Sequence, residues 1–103
     1  MEINDLQLID VFQMKKAALV LRAINHKLRQ QIVHLIYQNG KMTVTQIYVK
    51  LRIEQSVASQ HLAILRKAGF VNTTRVGKFI YYTVNQERFD EIHLFTENVL
   101  IHK

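Results

Sequence analysis

Cysteine is absent from the 103 residues, which excludes disulfides, thiolate metal sites and thiol redox switches together. No apolar run approaches the roughly 20 residues that a membrane-spanning helix needs. The N-terminal segment MEINDLQL carries acids where a signal peptide would carry bases, so a cytoplasmic location and no membrane partner are expected. Glycine occurs three times, at Gly40, Gly69 and Gly77, few enough that each is expected to mark a boundary or a turn. Serine occurs only as Ser56 and Ser59. Acid is nearly missing from the middle of the chain: residues 22–84 hold ten bases against Glu54 alone, a net of +9, while residues 1–21 carry −1 and residues 85–103 carry −2.

That segregation, within a formal net charge of +6, is the footprint expected of a polyanion-binding protein. The length and a hydrophobic share of 49% suit one domain, small enough that a second subunit could help cover its apolar surface. Residues 1–103 are therefore read as a single domain.

The two serines sit in EQSVASQHLAILRKAGF, residues 54–70. At 3.6 residues per turn, Val57, His61, Ile64, Leu65 and Ala68 gather on one side of a helix. Gln55, Ser56, Ser59, Gln60, Ala63, Arg66 and Lys67 gather on the other. A small, polar and basic face suits close approach to phosphates and base edges, and the stretch is read as a DNA-recognition helix whose partner is double-stranded DNA. His61, in the middle of the apolar side, is expected to be a packed, hydrogen-bonded core histidine.

Around it the chain divides by period. From Asn4, a plausible N-cap, to about Leu21, the residues Leu6, Ile9, Phe12, Lys16, Leu19 and Val20 keep helical spacing, with Leu8, Val11 and Met14 adding apolar surface. Asn25 can cap a second helix reaching about Gln38, striped by Leu28, Ile32, Leu35 and Ile36 and ended by Asn39-Gly40; His26 and His34 are expected to be surface residues. Thr43-Val-Thr-Gln46 matches a capping box ahead of a short helix with Val44, Ile47, Tyr48 and Leu51. Only Arg52, Ile53 and Glu54 then separate it from the recognition helix, the connection length of a helix-turn-helix. Gly69 closes that helix. Phe70–Thr74 and Phe79–Val84 are rich in aromatic and β-branched residues and flank Arg75-Val-Gly-Lys78, which predicts a β-hairpin with a basic tip. Asn85 can cap a last helix whose apolar side is Phe89, Ile92, Phe95, Thr96, Val99 and Leu100. No later element covers that side, so the first and last helices are expected to meet their copies in a second subunit.

The predicted fold class is mainly α with a small β-hairpin, in α-α-α-α-β-β-α order. Within it, residues 43–69 form the helix-turn-helix, 70–84 the wing, and 1–21 and 85–103 the dimerisation helices. Three segments resemble one family. Residues 23–33, AINHKLRQQIV, follow the ArsR-type (arsenical-resistance repressor) pattern of alanine, apolar, small polar, acid or histidine, then a leucine-arginine pair. QSVASQHL at 55–62 with LRKAGFV at 65–71 resembles that family's recognition helix, and RVGKFIYY at 75–82 its wing. The resemblance runs over about residues 17–84. It implies a homodimeric repressor on an imperfect palindrome, with Gln55, Ser56, Ser59 and Gln60 at the DNA, Arg75 and Lys78 on the backbone, and dimer contacts from the first and last helices. The dimer residues are then Leu6, Ile9, Phe12, Phe89, Ile92, Phe95 and Val99. Lys27 departs from the pattern, since many relatives have proline there.

Relatives often release DNA when a metal binds, through cysteines before the recognition helix or through acids and histidines on the terminal helix. The first set is missing. For the second, Asp90, His93, Glu97 and His102 are present, but their spacing departs from the family's terminal-helix pattern. No cofactor is expected; Asp90, His93 and His102 are the only metal candidates, and a solvated polar face accounts for them more simply. The inducer is unspecified. No nucleophile with a base, phosphate loop or paired carboxylates points to an enzyme. The competing functional class is a winged-helix adaptor that holds another protein through its apolar terminal helices and binds no DNA.

Overall fold

The computed structural model describes residues 11–101. Its elements are α1 (Val11–Ile24), α2 (Lys27–Asn39), α3 (Val44–Leu51), α4 (Gln55–Lys67), the strands β1 (Val71–Val76) and β2 (Phe79–Val84), and α5 (Gln86–Ile101). Five helices and one antiparallel hairpin appear in the predicted order. Asn4, Leu6, Leu8, Ile9 and His102 lie outside the described residues, as does the side chain of Val99.

Helix α1 continues three residues beyond the expected Leu21. Asn25 N–H still donates to Leu21 O at 2.9 Å, so Asn25 belongs to the end of α1 and does not cap α2. His26 is the N-cap, with φ −152 and ψ 123, and its side chain accepts from the Arg29 N–H. The last carbonyls of α1, which no residue of that helix can satisfy, are taken by side chains of α2: Arg29 Nη1 donates to Ala23 O at 2.8 Å and Gln30 Nε2 to Ile24 O at 2.9 Å. Sequence periodicity could not place this boundary because two of its carbonyls find side-chain donors on the next helix.

The capping box of α3 forms as expected. Thr43 Oγ1 accepts from Gln46 N–H at 3.2 Å, and Gln46 Oε1 accepts from Thr43 N–H at 2.9 Å. Helix α3 ends on Arg52, whose φ of 56 is left-handed. Arg52 N–H donates to Val49 O and Ile53 N–H to Tyr48 O, the paired bonds of a Schellman ending with a non-glycine at its left-handed position. Gly69 ends α4 in the same manner at φ 84, with Gly69 N–H on Arg66 O and Phe70 N–H on Leu65 O. Phe70 and Leu65, which such an ending brings together, are both fully buried.

Phe70 therefore belongs to the core, and β1 begins at Val71. The strands run closer to the turn than expected: Val76 pairs with Phe79, leaving Gly77-Lys78 as a two-residue loop. Gly77 takes φ 62, the positive φ that tight hairpins require at their first central residue. A further attachment, absent from the sequence reading, is the bridge between Met42 and Tyr82, whose backbones exchange bonds of 3.1 and 2.7 Å. It docks the wing onto the segment between α2 and α3.

The core joins Ile32, Leu35 and Ile36 of α2, Ile47 of α3, Leu62 and Leu65 of α4, and Phe70 and Val71. Each such aliphatic or aromatic side chain contributes on the order of 1.5–3 kcal/mol by leaving water. This core holds α4 by one face and leaves the other exposed.

Candidate nucleic-acid interface

The packing face of α4 is turned by nearly one residue position from the expected one. Ala58, Leu62 and Leu65 are completely buried, whereas Ile64 is 39% exposed and Val57, His61 and Ala68 are half-buried. A helical wheel gives a methyl group such as that of Ala58 little weight. Packing favours it, because a small side chain lets α4 approach closely.

The four proposed readers keep their place through this rotation. Gln55, Ser56, Ser59 and Gln60 are all exposed, in the first two turns of α4, and Arg66 and Lys67 are exposed in its last turn. The N-cap is Glu54, whose side chain makes no capping bond. On the wing, Arg75 and Lys78 are exposed. Arg75 Nε donates to Gly77 O at 3.2 Å, and Lys78 Nζ stands 5.4 Å from the centre of the Phe79 ring. Lys41 Nζ lies 4.7 Å over the Tyr81 ring and adds a further positive charge beside the wing.

Behind this surface, Arg29 joins three elements. Besides its bond to Ala23 O, its Nε donates to His61 Nδ1 at 3.2 Å. The His26 and His61 rings lie 4.8 Å apart, tilted by 47°. Burial, then the charges of His26 and Arg29, lower the pKa of His61 from its ordinary 6.5. His61 is thus hydrogen-bonded as expected, but at the flank of α4 and not in mid-core. His26 caps a helix and touches His61, so it is more than a surface residue. The role of Arg29 was missed; its position three residues after His26 was visible in the sequence, whereas its reach to His61 was not.

Asn85 stands at the N-cap position of α5, its carbonyl accepting from Arg88 N–H at 3.2 Å, while its side chain donates from Nδ2 to Gly69 O at 2.8 Å, tying the end of the wing to the end of α4. Of the expected dimer residues, Phe89 packs on Phe70 with ring centres 4.9 Å apart, and Ile92 packs partly on the core. Both are already half covered within the chain. Phe12 and Phe95 are 70% and 46% exposed, in company with Val11, Met14, Leu19 and Leu94.

Among the metal candidates, Asp90 accepts from Gln86 Nε2 at 3.1 Å, and His93 Nε2 stands 3.6 Å from Glu97 Oε1. Among the described residues no group of three or more histidines and acids is placed to hold a metal ion. No described helix is long and apolar enough to cross a membrane.

A capped helix, a three-residue turn, a second helix with an exposed polar face and a two-stranded basic hairpin make this a winged helix-turn-helix protein. A profile described as "Bacterial regulatory protein, arsR family" matches residues 26–73. The HTH-type transcriptional regulator MJ1325 of Methanocaldococcus jannaschii is 36% identical over 78 residues, covering 76% of this chain and 88% of that protein. The transcriptional repressor PagR of Bacillus anthracis is 32% identical over 82% of this chain and 84% of its own length. The crystal structure of PagR superposes with a TM-score of 0.65 over 74% of this chain and 86% of that chain, at 33% identity. The homodimeric winged helix-turn-helix DNA-binding domain Mb0332 of Mycobacterium bovis shares the fold, with a TM-score of 0.74, 24% identity and coverage of 91% of this chain and 87% of that one. The chain belongs to the ArsR family and is a DNA-binding transcriptional regulator. The adaptor function finds no support among these relatives.

Proposed function

We propose that the protein is a repressor that binds an imperfect palindrome as a homodimer, reading base edges with Gln55, Ser56, Ser59 and Gln60 while Arg66, Lys67, Arg75 and Lys78 contact phosphates. The single observation that carries this reading is the exposure of all four polar residues on a helix anchored in the core by the fully buried Ala58, Leu62 and Leu65. Serine and glutamine can donate to phosphates and accept from or donate to bases, whereas the basic side chains chiefly hold the duplex in register. The exposed apolar residues of α1 and α5, Phe12 and Leu19 with Leu94 and Phe95, supply the subunit contact. Two recognition helices related by a two-fold axis then meet half-sites about one helical turn apart. Repression follows if the operator overlaps a promoter; the name of PagR supports that sign of regulation. The activity is binding and not catalysis, and it needs no resident cofactor or terminal-helix metal.

The test is a triple substitution, Ser56→Ala, Ser59→Ala and Gln60→Ala, assayed on a duplex selected by the wild-type protein from a random pool and on a scrambled control. The variant should keep its helical content and its sedimentation as a dimer. It should lose preference for the selected duplex by at least about a hundredfold, given roughly 1–3 kcal/mol per lost base contact. Retained preference would show that other residues read the sequence. A dimer that binds neither duplex at low salt would favour the adaptor.

A further inference from the structure

We propose that Arg29 is a positioning residue for the recognition helix, fixing the pose of α4 by bridging His61 to the end of α1, and that the bridge holds only while His61 Nδ1 is unprotonated. This rests on the DNA-reading role given to α4 above. The guanidinium donates from Nη1 to Ala23 O at 2.8 Å and to Arg22 O at 3.4 Å, and from Nε to His61 Nδ1 at 3.2 Å. One side chain thus connects the helix carrying the exposed apolar face to the helix carrying the readers, and His61 directly follows Gln60 in that helix. A small change at this joint alters the angle between dimer contact and base contact, the geometry on which two-half-site recognition depends.

Because His61 Nδ1 accepts a hydrogen bond, the proton of its neutral ring sits on Nε2. A second proton would land on Nδ1, the atom facing a permanently charged guanidinium. The other groups around it do not favour that proton. The His26 ring, at the N-cap of α2, lies 4.8 Å from it, and Arg29 faces it from α2. On its own helix the bases Arg66 and Lys67 lie on the opposite face, and the acid Glu54 stands about two turns away at the N-cap. Protonation therefore breaks the bridge and does not strengthen it. Simple electrostatics would have an acidified, more positive protein bind every duplex more tightly. The bridge predicts instead that preference for the selected duplex falls on acidification while binding to the scrambled one does not.

The experiment measures fluorescence anisotropy on the selected and scrambled duplexes across a salt series, from about pH 8 to about pH 5.5, spanning the ordinary histidine range. In the wild type the ratio of the two affinities should fall on the order of tenfold with acid, the scale of one charge-assisted hydrogen bond. His61→Asn places a carbonyl oxygen near the position of Nδ1, accepts from Arg29 and cannot titrate; it should keep the neutral-pH ratio and hold it level. Arg29→Met should lower the ratio at neutral pH by a similar factor with an unchanged salt slope. A slope lower by about one would mark Arg29 as a phosphate contact and overturn the proposal, as would a His61→Asn ratio that falls like the wild type's. His26→Asn keeps a capping side chain and should move the wild-type fall to higher pH, since His26 no longer opposes the proton. If Arg29→Met fails to fold by circular dichroism, the His61→Asn comparison decides. Failure of the wild type to prefer any duplex would refute the DNA-reading role itself, a distinct result.

Discussion

Gly69→Ala tests whether the end of the recognition helix is held by backbone conformation or by side-chain space. Gly69 takes φ 84, and a Cβ built there would lie 2.9 Å from Arg88 Nε and 3.0 Å from Arg88 Nη2. Placing a non-glycine in the left-handed region costs about 1–2 kcal/mol. Reduced freedom of the unfolded chain returns about 0.4–1 kcal/mol. Arg88 can yield, because its contact atoms are the far end of a flexible side chain and its pairing with Glu91 is a loose one at 3.6 Å; a displaced rotamer adds on the order of 0.5–1.5 kcal/mol. The net expectation is a loss of about 1–2 kcal/mol, or a Tm lower by roughly 5–15 °C for a domain of this size. Urea unfolding followed by circular dichroism, at one fixed protein concentration because dimerisation shifts apparent stability, measures it. The same substitution in an Arg88→Ala background separates the two causes: only the rotamer share should disappear. A Gly69→Ala protein as stable as wild type would refute the reasoning. So would a cost that vanishes entirely once Arg88 is removed, since the backbone would then carry none of it.

Four other outcomes follow from the same structure. Thr43→Ala should cost about 1 kcal/mol in urea unfolding, the usual worth of an N-cap, because Gln46 N–H loses its acceptor. Arg52→Gly should stabilise the protein by up to about 1 kcal/mol and so raise the urea midpoint, since the left-handed cost of about 1–2 kcal/mol at φ 56 exceeds the added unfolded-state entropy; a lower midpoint would show that the arginine side chain outweighs its backbone. Arg75→Ala with Lys78→Ala should weaken selected and scrambled duplexes alike and reduce the logarithmic salt slope by up to about two, whereas a selective loss would make the wing a sequence reader. For stability against pH, the folded-state pKa of His61 lies below its ordinary 6.5, so the unfolded chain binds the proton first as pH falls. Its contribution is complete above that value and is lost below it, and the urea midpoint of the wild type should drop more with acid than that of His61→Asn.

The surface proposed to meet DNA was legible from one chain because its signals are local. Ser56 and Ser59 one turn apart between glutamines, a capping box at Thr43 and Gln46, and glycines at 69 and 77 each act within a few residues, and helix and hairpin geometry translate them without reference to the rest of the fold. Charge segregation needed only counting. The face by which α4 packs was less legible, because Ala58 contributes little to hydrophobic periodicity yet is fully buried, its small side chain suiting a close-packed interior.

What the sequence determined by itself, then, was the order of elements, the three-residue turn of the helix-turn-helix and the exposed polar face of α4. The tertiary structure alone decided where α1 stops, which residue caps α2, how Met42 and Asn85 fasten the wing, and that Arg29 reaches His61. Apart from the His26 cap, which forms within three positions, these depend on a side chain or backbone group satisfying a partner on another element, 32 positions away for Arg29 and His61. A hydrogen bond across that separation leaves no period or spacing in the chain. It exists only once folding has brought the ends of α1, α2 and α4 together.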